Sequence, residues 1–173
     1  AYVLGLACVR RGATRGQVLA LAAVIQLAPL AAPLLLSTDA WTYWGYGWTA
    51  AVGGGNPYVD PPASQPQNPA LPVMGADWTE TTSVYGPAFT LAPEPIARLA
   101  GGDDDVAAWL YKGLAAAALL AATLLAARLS RRPALAAAFV GWNPVLAIHS
   151  AGGGHIDAWV GALLLAALAL EGV

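Results

Sequence analysis

The apolar run QVLALAAVIQLAPLAAPLLL, residues 17–36, is followed directly by the aromatic segment STDAWTYWGYGW, residues 37–48. A run of about 20 apolar residues is long enough to cross a bilayer as a helix. Asp39 follows this run by three residues, and five aromatic residues crowd into the segment that it opens. A carboxylate at the exit of a span, beside a Trp/Tyr belt, indicates an active site at the membrane surface.

Helical periodicity divides residues 39–48 into two faces. At about 100° per residue, Asp39, Tyr43 and Tyr46 fall within roughly 60° of one another. The tryptophans of the segment fall on the opposite side, namely Trp41, Trp44 and Trp48. We therefore expect a helix that lies in the interface, with its tryptophans toward lipid and its carboxylate and phenols toward a polar ligand.

The composition of the 173-residue chain is that of a membrane protein. It is 58% hydrophobic and 10% charged, whereas soluble domains carry about 25% charged residues. The chain starts at Ala1, within an apolar run, and its last apolar run reaches Val173 without a polar flank, so we interpret it as a fragment of a longer protein. The single cysteine, Cys8, permits no disulfide within the chain and suits a packing role.

Five apolar runs predict an all-α polytopic membrane protein with about five transmembrane helices. The runs are Ala1–Val9 (a partial span), Gln17–Leu36, Val106–Ala127, Ala134–Ile148 and Ala158–Leu170. The second and third are of spanning length, and the fourth contains Asn143-Pro144, where the missing backbone donor should kink or end the helix. We treat residues 1–173 as one transmembrane domain.

The placement of charge orients these spans. Six of the eight basic residues lie in two short loops, Arg10–Arg15 and Arg128–Arg132, and eight of the ten acids lie in the long segment 37–105. The positive-inside rule places the arginine loops in the cytoplasm. The segment 37–105 is then a long extracytoplasmic loop that carries interfacial helices, and alternation of the spans brings His149–Asp157 to the same side.

The motif Gly152-Gly153-Gly154-His155-Ile156-Asp157 is a second candidate site. Its glycines allow the backbone to approach a ligand closely. Three interpretations stay open: His155 and Asp157 contact a sugar or phosphate, they bind a metal together with His149, or Asp157 only caps the last span. Asp39 has the same structural alternative, as the cap of the helix that it opens.

Two function classes are not supported by the sequence. The chain has no glycine-rich phosphate loop of the kind that nucleotide-binding domains use. It also has no basic patch outside the two short arginine loops, so nucleic acid is not an expected partner.

The order of the motifs resembles a known family. Ser37-x-Asp39-x-x-x-Tyr43 is followed by Gly55-Asn56-Pro57-Tyr58, Tyr85-Gly86-Pro87, Asn143-Pro144 and Gly154-His155-x-Asp157. This order is similar to that of the polyprenyl-phosphate-mannose-dependent mannosyltransferases of the GT-C superfamily, especially the actinobacterial α-1,6-mannopyranosyltransferases. One departure is Ile156, which stands where the family's Gly-His-Asn-Asp motif has an amide. The C-terminal spans typical of the family are absent from this sequence.

The resemblance implies a glycosyltransferase of the bacterial plasma membrane with an extracytoplasmic active site. It would move a hexose, with mannose as the implied sugar, from a polyprenyl-phosphate donor to a glycan or glycolipid acceptor, without a metal or diffusible cofactor. Asp39 is the implied general base. The implied sugar contacts are Tyr43, Trp78, Tyr85 and Asp157, and the implied phosphate partners are His155, Arg98 and Lys112.

In this interpretation Asp39 and His155 share one cavity, about 6–12 Å apart, around a single bound hexose. The alternative is a non-catalytic transporter or flippase for a lipid-linked glycan, which would share the broken spans and the polar groups within them. A transporter places such groups near the midplane of the membrane, whereas Asp39 and His155 are predicted at its outer edge.

The predicted topology can be tested by cysteine labelling. After Cys8 is replaced, single cysteines at Ser64 and Ser150 should react with an impermeant thiol reagent added outside the cell, and one at Ser130 should not. Labelling of Ser130 from outside would invert the topology and remove the basis for an extracytoplasmic active site.

Overall fold

The computed structural model describes residues 1–171, apart from the side chain of Leu91, and this part of the chain is helical without strands. The α-helices are α1 Tyr2–Arg10, α2 Arg15–Leu27, α3 Asp39–Ala51, α4 Ala76–Thr79, α5 Pro87–Leu91, α6 Pro93–Ala100, α7 Asp104–Leu129, α8 Pro133–Gly141 and α9 Asp157–Leu170. Short 3-10 helices cover Ala28–Ala31 and Pro62–Ser64, and a π-helical turn covers Leu146–Ala151. The predicted all-α fold is confirmed.

The chain forms two compact units. The central unit is Leu36–Tyr111, and the terminal unit combines Ala1–Leu35 with the chain from Lys112 onward. The central unit includes the first two turns of α7, and the rest of this helix belongs to the terminal unit.

The terminal unit is built from helices that approach closely through small side chains. Helix α8 packs against both α1 and α2. One core cluster contains Val9, Val18, Ala127, Ala137 and Ala138, and a second contains Ala115, Ala116, Leu119, Ala151 and Ala158. Alanine at these contacts lets helix backbones come near each other where apolar burial alone gives little preference between lipid and protein.

The tightest of these helix contacts is at Gly141, the last residue of α8. A Cβ atom there would lie 2.5 Å from the Cβ of Ala22 in α2 and 2.9 Å from the Cγ2 of Thr123 in α7. The carbonyl of Gly141 also accepts a 3.0 Å hydrogen bond from Nε2 of the buried Gln26. Three helices thus meet where no side chain fits.

Helix α7 is the one described helix that is long and apolar enough to cross a membrane. Its start is well defined, because Oδ1 of Asp103 accepts a 2.9 Å hydrogen bond from the backbone N–H of Val106. Asp104 and Asp105 in its first turn and Arg128 in its last turn complement the helix dipole.

The prediction of one continuous helix over Gln17–Leu36 is wrong. Helix α2 starts at a capping box formed by Thr14 and Gln17, but it ends at Leu27 and continues only as a 3-10 turn to Ala31. Pro29 lies in this turn and Pro33 follows it, and neither residue has a backbone N–H to continue an α-helix. Five full spans are therefore not observed in the described residues.

The Asn143-Pro144 dipeptide ends a helix, as predicted. Helix α8 stops at Gly141, and the chain resumes in the π-helical turn Leu146–Ala151. The Oδ1 atom of Asn143 accepts a 3.0 Å hydrogen bond from the N–H of Val145, which caps the new start. The six π-helical residues lead directly into the glycines of the predicted second site.

The central unit encloses α3, the aromatic helix. The predicted helix is confirmed as Asp39–Ala51. The expectation that its tryptophans face lipid is wrong for Trp44 and Trp48, which are 0% and 8% exposed, whereas Trp41 is half-buried. Two glycines explain the burial by letting neighbours approach. A Cβ at Gly47 would lie 2.6 Å from that of Pro93 at the start of α6, and a Cβ at Gly45 would lie 3.3 Å from that of Ala70.

The contact at Gly141 predicts a specific stability effect. Gly141→Ala in the complete protein should lower the free energy of unfolding by about 1–3 kcal/mol, because the Cβ of Ala22 cannot rotate away. Gly113→Ala in α7, where nothing lies within 4 Å of the added Cβ, is the matched control and should be neutral or gain up to about 1 kcal/mol. Thermal unfolding in detergent measures both, and equal effects would contradict the packing described here.

Candidate active site

Asp39 occupies the first position of α3. Thr38 is the N-cap residue and makes no side-chain capping bond, whereas Oγ of Ser37 accepts a 3.0 Å hydrogen bond from the N–H of Asp39. The alternative in which Asp39 caps this helix is therefore wrong, because Asp39 lies inside its first turn. The side chain of Asp39 is half-buried, so it remains accessible to a ligand while its backbone is fixed.

Trp78 lies near the same end of α3. It belongs to the short helix α4, whose N-cap residue is Gly75. A Cβ atom at Gly75 would lie 3.0 Å from Cδ1 of Trp78 and 3.2 Å from Oγ1 of Thr38. The indole and the residue before Asp39 therefore pack on the same glycine, and Trp78 is brought beside the start of α3.

An aromatic cluster surrounds Tyr43, one turn after Asp39. The ring of Tyr43 makes edge-to-face contacts with three others, at centroid distances of 5.5 Å to Tyr85, 5.2 Å to Phe89 and 5.6 Å to Tyr111. Tyr85 also contacts Phe89 at 4.8 Å. Tyr43 is buried, and Tyr85 and Phe89 are half-buried, so the latter two carry the accessible ring surface of the cluster.

The two turns singled out by the sequence are bonded to each other. The hydroxyl of Tyr58, in the Asn56-Pro57-Tyr58 turn, donates to the carbonyl of Tyr85 at 2.8 Å and lies 2.9 Å from Oγ1 of Thr90. The N–H of Ser83 donates to the carbonyl of Pro57 at 2.7 Å. The first turn thus fixes the second, which carries one ring of the cluster.

Tyr46 continues the same face of α3. Its hydroxyl donates to the carbonyl of Thr81 at 3.1 Å, and its ring lies 6.4 Å from that of Tyr85. Burial, with a smaller contribution from Tyr85, raises the pKa of Tyr46 to about 12. The phenol is therefore a neutral hydrogen-bond donor at physiological pH and anchors the segment before Tyr85. Asp39, Tyr43 and Tyr46 share one side of α3 as predicted. The expectation that both phenols face a polar ligand is wrong, because Tyr43 and Tyr46 are buried.

Arg98 lies on the exposed side of α6. Ile96, Ala97 and Ala100 are buried in the central unit, whereas Arg98 is exposed. The structure therefore places this guanidinium on a solvent-facing surface of the unit that holds Asp39, and its role as a phosphate partner stays a prediction.

His155 is buried in the terminal unit and stacks on His149. The two imidazole centroids are 4.2 Å apart and the planes are inclined by 25°. The ring of His155 also covers Gly153, where a Cβ atom would lie 2.6 Å from its Cδ2. Glycine is needed at position 153 because the imidazole packs directly on its backbone. Since His155 and Asp39 belong to different units, their predicted shared cavity stays a prediction.

Asp157 is the first residue of α9 and is exposed. The N-cap residue is Ile156, so the capping alternative for Asp157 is wrong, although its charge complements the helix dipole. Asp157 lines a cavity of about 200 Å³ together with Ser150 and apolar residues of α7 and α9. His149, His155 and Asp157 do not form a group that could hold a metal ion, nor does any other set of three acidic, histidine or cysteine residues in the described chain.

Two residues that the sequence highlighted have other surroundings than expected. The ammonium group of Lys112 donates to the carbonyls of Ala32 and Pro33, so this lysine holds the end of the broken second span. Ser150 is buried, and the exposed His149 is therefore the better cysteine-labelling position on that segment.

Sequence reasoning did not identify Phe89 and Tyr111 as partners of Tyr43. These residues come from α5 and α7, far along the chain from α3, and no local spacing connects them to Tyr43. The sequence carried only a weak indication of the hydrogen bond from Tyr58 to Tyr85. Both residues belong to turns that are among the motifs of the family resemblance.

Comparison with known proteins identifies the family. Residues 1–172 match the family model described as alpha-(1->6)-mannopyranosyltransferase, N-terminal domain. The chain is 32% identical over 152 residues to alpha-(1->6)-mannopyranosyltransferase A of Mycobacterium tuberculosis (strain ATCC 25618 / H37Rv), an alignment that covers 85% of this chain and 29% of the relative. The chain thus spans less than a third of that relative's length. No solved structure matches the chain.

The raised pKa of Tyr46 predicts an alkaline stability effect. A phenol in the unfolded chain ionises near pH 10, and Tyr46 in the fold near pH 12, so its contribution is complete below about pH 10 and is lost as the pH rises through about 12. At pH 8, Tyr46→Phe should lower the free energy of unfolding by roughly 1 kcal/mol, because the hydrogen bond to Thr81 is lost. Between pH 10 and 12, the stability of this variant should decline less than that of the wild type.

Thermal melts of the complete protein at several pH values measure this difference. Tyr58→Phe, which also removes a hydrogen-bonded phenol hydroxyl of the central unit, is the matched control. If the stability of wild type and of Tyr46→Phe fell in parallel with pH, the raised pKa of Tyr46 would be contradicted.

Proposed function

The chain belongs to the alpha-(1->6)-mannopyranosyltransferase family, and from this premise we propose that it forms the catalytic N-terminal part of a membrane mannosyltransferase. The proposed reaction transfers mannose from a polyprenyl-phosphate donor to a hydroxyl of a glycan or glycolipid acceptor on the extracytoplasmic face of the bacterial plasma membrane. The observation that carries the proposal is the position of Asp39 in the first turn of α3, one turn before the aromatic cluster around Tyr43.

In the proposed step, the carboxylate of Asp39 accepts the proton of the acceptor hydroxyl. The hydroxyl oxygen then forms a bond to C1 of mannose, while the bond from C1 to the phosphate oxygen breaks. Polyprenyl phosphate leaves with the electron pair of that bond. A positioned carboxylate suits this role because the proton must be removed as the new bond forms.

The aromatic residues near Asp39 are the proposed sugar platform. Sugar rings pack their C–H faces on aromatic rings, and Tyr85 offers a half-buried ring held in place by Tyr58. Trp78 lies beside the start of α3, on the same glycine as Thr38. We assign Tyr43, through its contact with Tyr85, to the support of this platform and not to direct stacking, since it is buried.

The donor phosphate needs positive or hydrogen-bonding partners that strengthen as the leaving group gains charge. We propose His155 and Arg98 for this role, with Asp157 as a hydrogen-bond acceptor for sugar hydroxyls. Lys112 is not included, because its ammonium group already donates to two backbone carbonyls. The apolar helix α7 suits the lipid-facing part of the enzyme.

Replacement of the proposed base tests this mechanism. Asp39→Asn in the complete protein should keep expression and membrane insertion but lower mannose transfer from radiolabelled polyprenyl-phosphate-mannose about 10²–10⁴-fold, because the amide cannot accept the proton. Asp77→Asn, at an exposed acid of the same unit, is the control and should retain activity. Near-normal transfer by a well-folded Asp39→Asn protein would remove Asp39 from the mechanism.

The same preparations distinguish the transporter alternative. Wild-type protein in sealed vesicles that moves a lipid-linked glycan across the bilayer, but transfers no mannose to an acceptor, would favour a flippase and overturn the proposal.

A further inference from the structure

The arginines of the terminal unit have almost no acidic neighbours in sequence. Six arginines lie in or directly beside its two short loops, namely Arg10, Arg11, Arg15, Arg128, Arg131 and Arg132, whereas the acids of this unit are Asp157 and Glu171. None of the six arginines forms an ion pair within the part of the chain that the structure describes. This surface therefore carries a net positive charge that no described side chain neutralises.

Part of this charge converges on one cavity. The end of α1 and the loop between α7 and α8 enclose a volume of about 570 Å³, whose polar lining consists of Arg10, Ser130, Arg131 and Arg132. An adjoining cavity of about 430 Å³ shares Arg10 and Arg132. Arg10 at the end of α1 and Arg132 just before α8 thus line the same space, although they are far apart in sequence. Such convergence of arginines is typical of a site for an anion.

The start of α8 adds to the attraction of this cavity for an anion. This nine-residue helix begins at Pro133, and its N-cap residue, Arg132, makes no side-chain capping bond. Pro133, Ala134 and Leu135 line the adjoining cavity, so the positive end of the helix dipole is directed at the same space.

The rest of the lining of the larger cavity is apolar. It is formed by α1, α7 and α8, with Leu6, Leu135 and Phe139 as its largest side chains. Phe139 is 60% exposed and extends this wall to the surface. A free phosphate ion gains nothing from such a wall, whereas an acyl chain does.

We propose that this arginine cavity binds the headgroup of an anionic phospholipid, with the phosphate held by Arg10 and Arg132 and an acyl chain lying on the Leu6–Phe139 wall. The arginine loops are on the predicted cytoplasmic side, where anionic lipids give the membrane its negative surface potential. The inference rests on the membrane location in the proposed function, but it does not depend on mannose transfer.

Binding of a fluorescent phosphatidylglycerol to the complete protein in detergent tests the site, with phosphatidylcholine carrying the same fluorophore as the neutral reference. The double variant Arg10→Gln/Arg132→Gln should weaken phosphatidylglycerol binding about 10- to 30-fold, since each arginine near an anionic headgroup contributes up to about 5-fold. Arg11→Gln/Arg128→Gln removes the same charge from the same two loops without touching this cavity, and should weaken binding less than about 3-fold.

A lysine variant and a competition with inorganic phosphate test the proposal further. Arg10→Lys/Arg132→Lys should recover most of the binding, which excludes misfolding as the cause of the loss. Inorganic phosphate, compared with chloride at equal ionic strength, should not displace the lipid, and displacement would reassign the cavity to a free anion. Equal losses in the two glutamine variants would show diffuse surface attraction without a site.

The inactive Asp39→Asn protein separates this inference from the proposed function. It should bind phosphatidylglycerol as the wild type does, so loss of transfer with intact lipid binding concerns only the catalytic proposal. A wild-type protein that transfers mannose but shows no preference for phosphatidylglycerol overturns the lipid site alone.

Discussion

The terminal unit depends on hydrogen-bond partners for the backbone carbonyls that lose their intrahelical bonds where a helix breaks. In apolar surroundings a carbonyl or N–H without a partner costs several kcal/mol, so each break in a helix needs a donor or acceptor from elsewhere in the fold. The second apolar run breaks near Pro29 and Pro33, and the ammonium group of Lys112 donates to the carbonyls of Ala32 and Pro33. Two residues after Pro33, the N–H of Leu35 donates to the carbonyl of Gly152 at 3.0 Å.

The same requirement explains other polar side chains that a sequence reader would assign to chemistry. Gln26 interrupts the second run and donates to the last carbonyl of α8, at Gly141. The indole N–H of Trp142, just past that helix, donates to the carbonyl of Val18 inside α2 at 3.0 Å, and this bond satisfies the indole, not a helix end. A polar residue in an apolar helix therefore often marks a break in a neighbouring helix. Lys112 changes from a candidate phosphate ligand to a structural residue on this ground.

Some features were predictable from the sequence because they rest on local rules. The start of α3 at Asp39, the end of α8 before Asn143-Pro144 and the long helix α7 follow from periodicity, proline chemistry and apolar length. The shared face of Asp39, Tyr43 and Tyr46 follows from helical geometry alone. Each of these predictions needed information from only a few neighbouring residues.

The features that were not predicted depend on tertiary packing. Trp44 appeared to face lipid because helical periodicity shows which residues share a face but not what covers that face. Its burial depends on Gly45 and Gly47, which admit Ala70 and Pro93 from distant segments. The π-helical turn and the stacking of His149 on His155 likewise follow from how the chain packs after Pro144, and their spacing in sequence carries no signal for either.

The central unit shows how a long, proline-rich segment can fix side chains in place without regular layers of structure. Tyr58 fixes the turn at Tyr85 from one side, and Tyr46 fixes the segment at Thr81 from the other. Tyr85 then contacts Tyr43, which lies one turn after Asp39 on a helix whose faces are almost all buried. A platform ring fixed in advance loses little conformational freedom when a sugar binds, and a carboxylate on a rigid helix start keeps its position relative to that ring. For the proposed transfer this matters more than the strength of any single contact, because the acceptor hydroxyl must meet the base and the sugar carbon in one geometry.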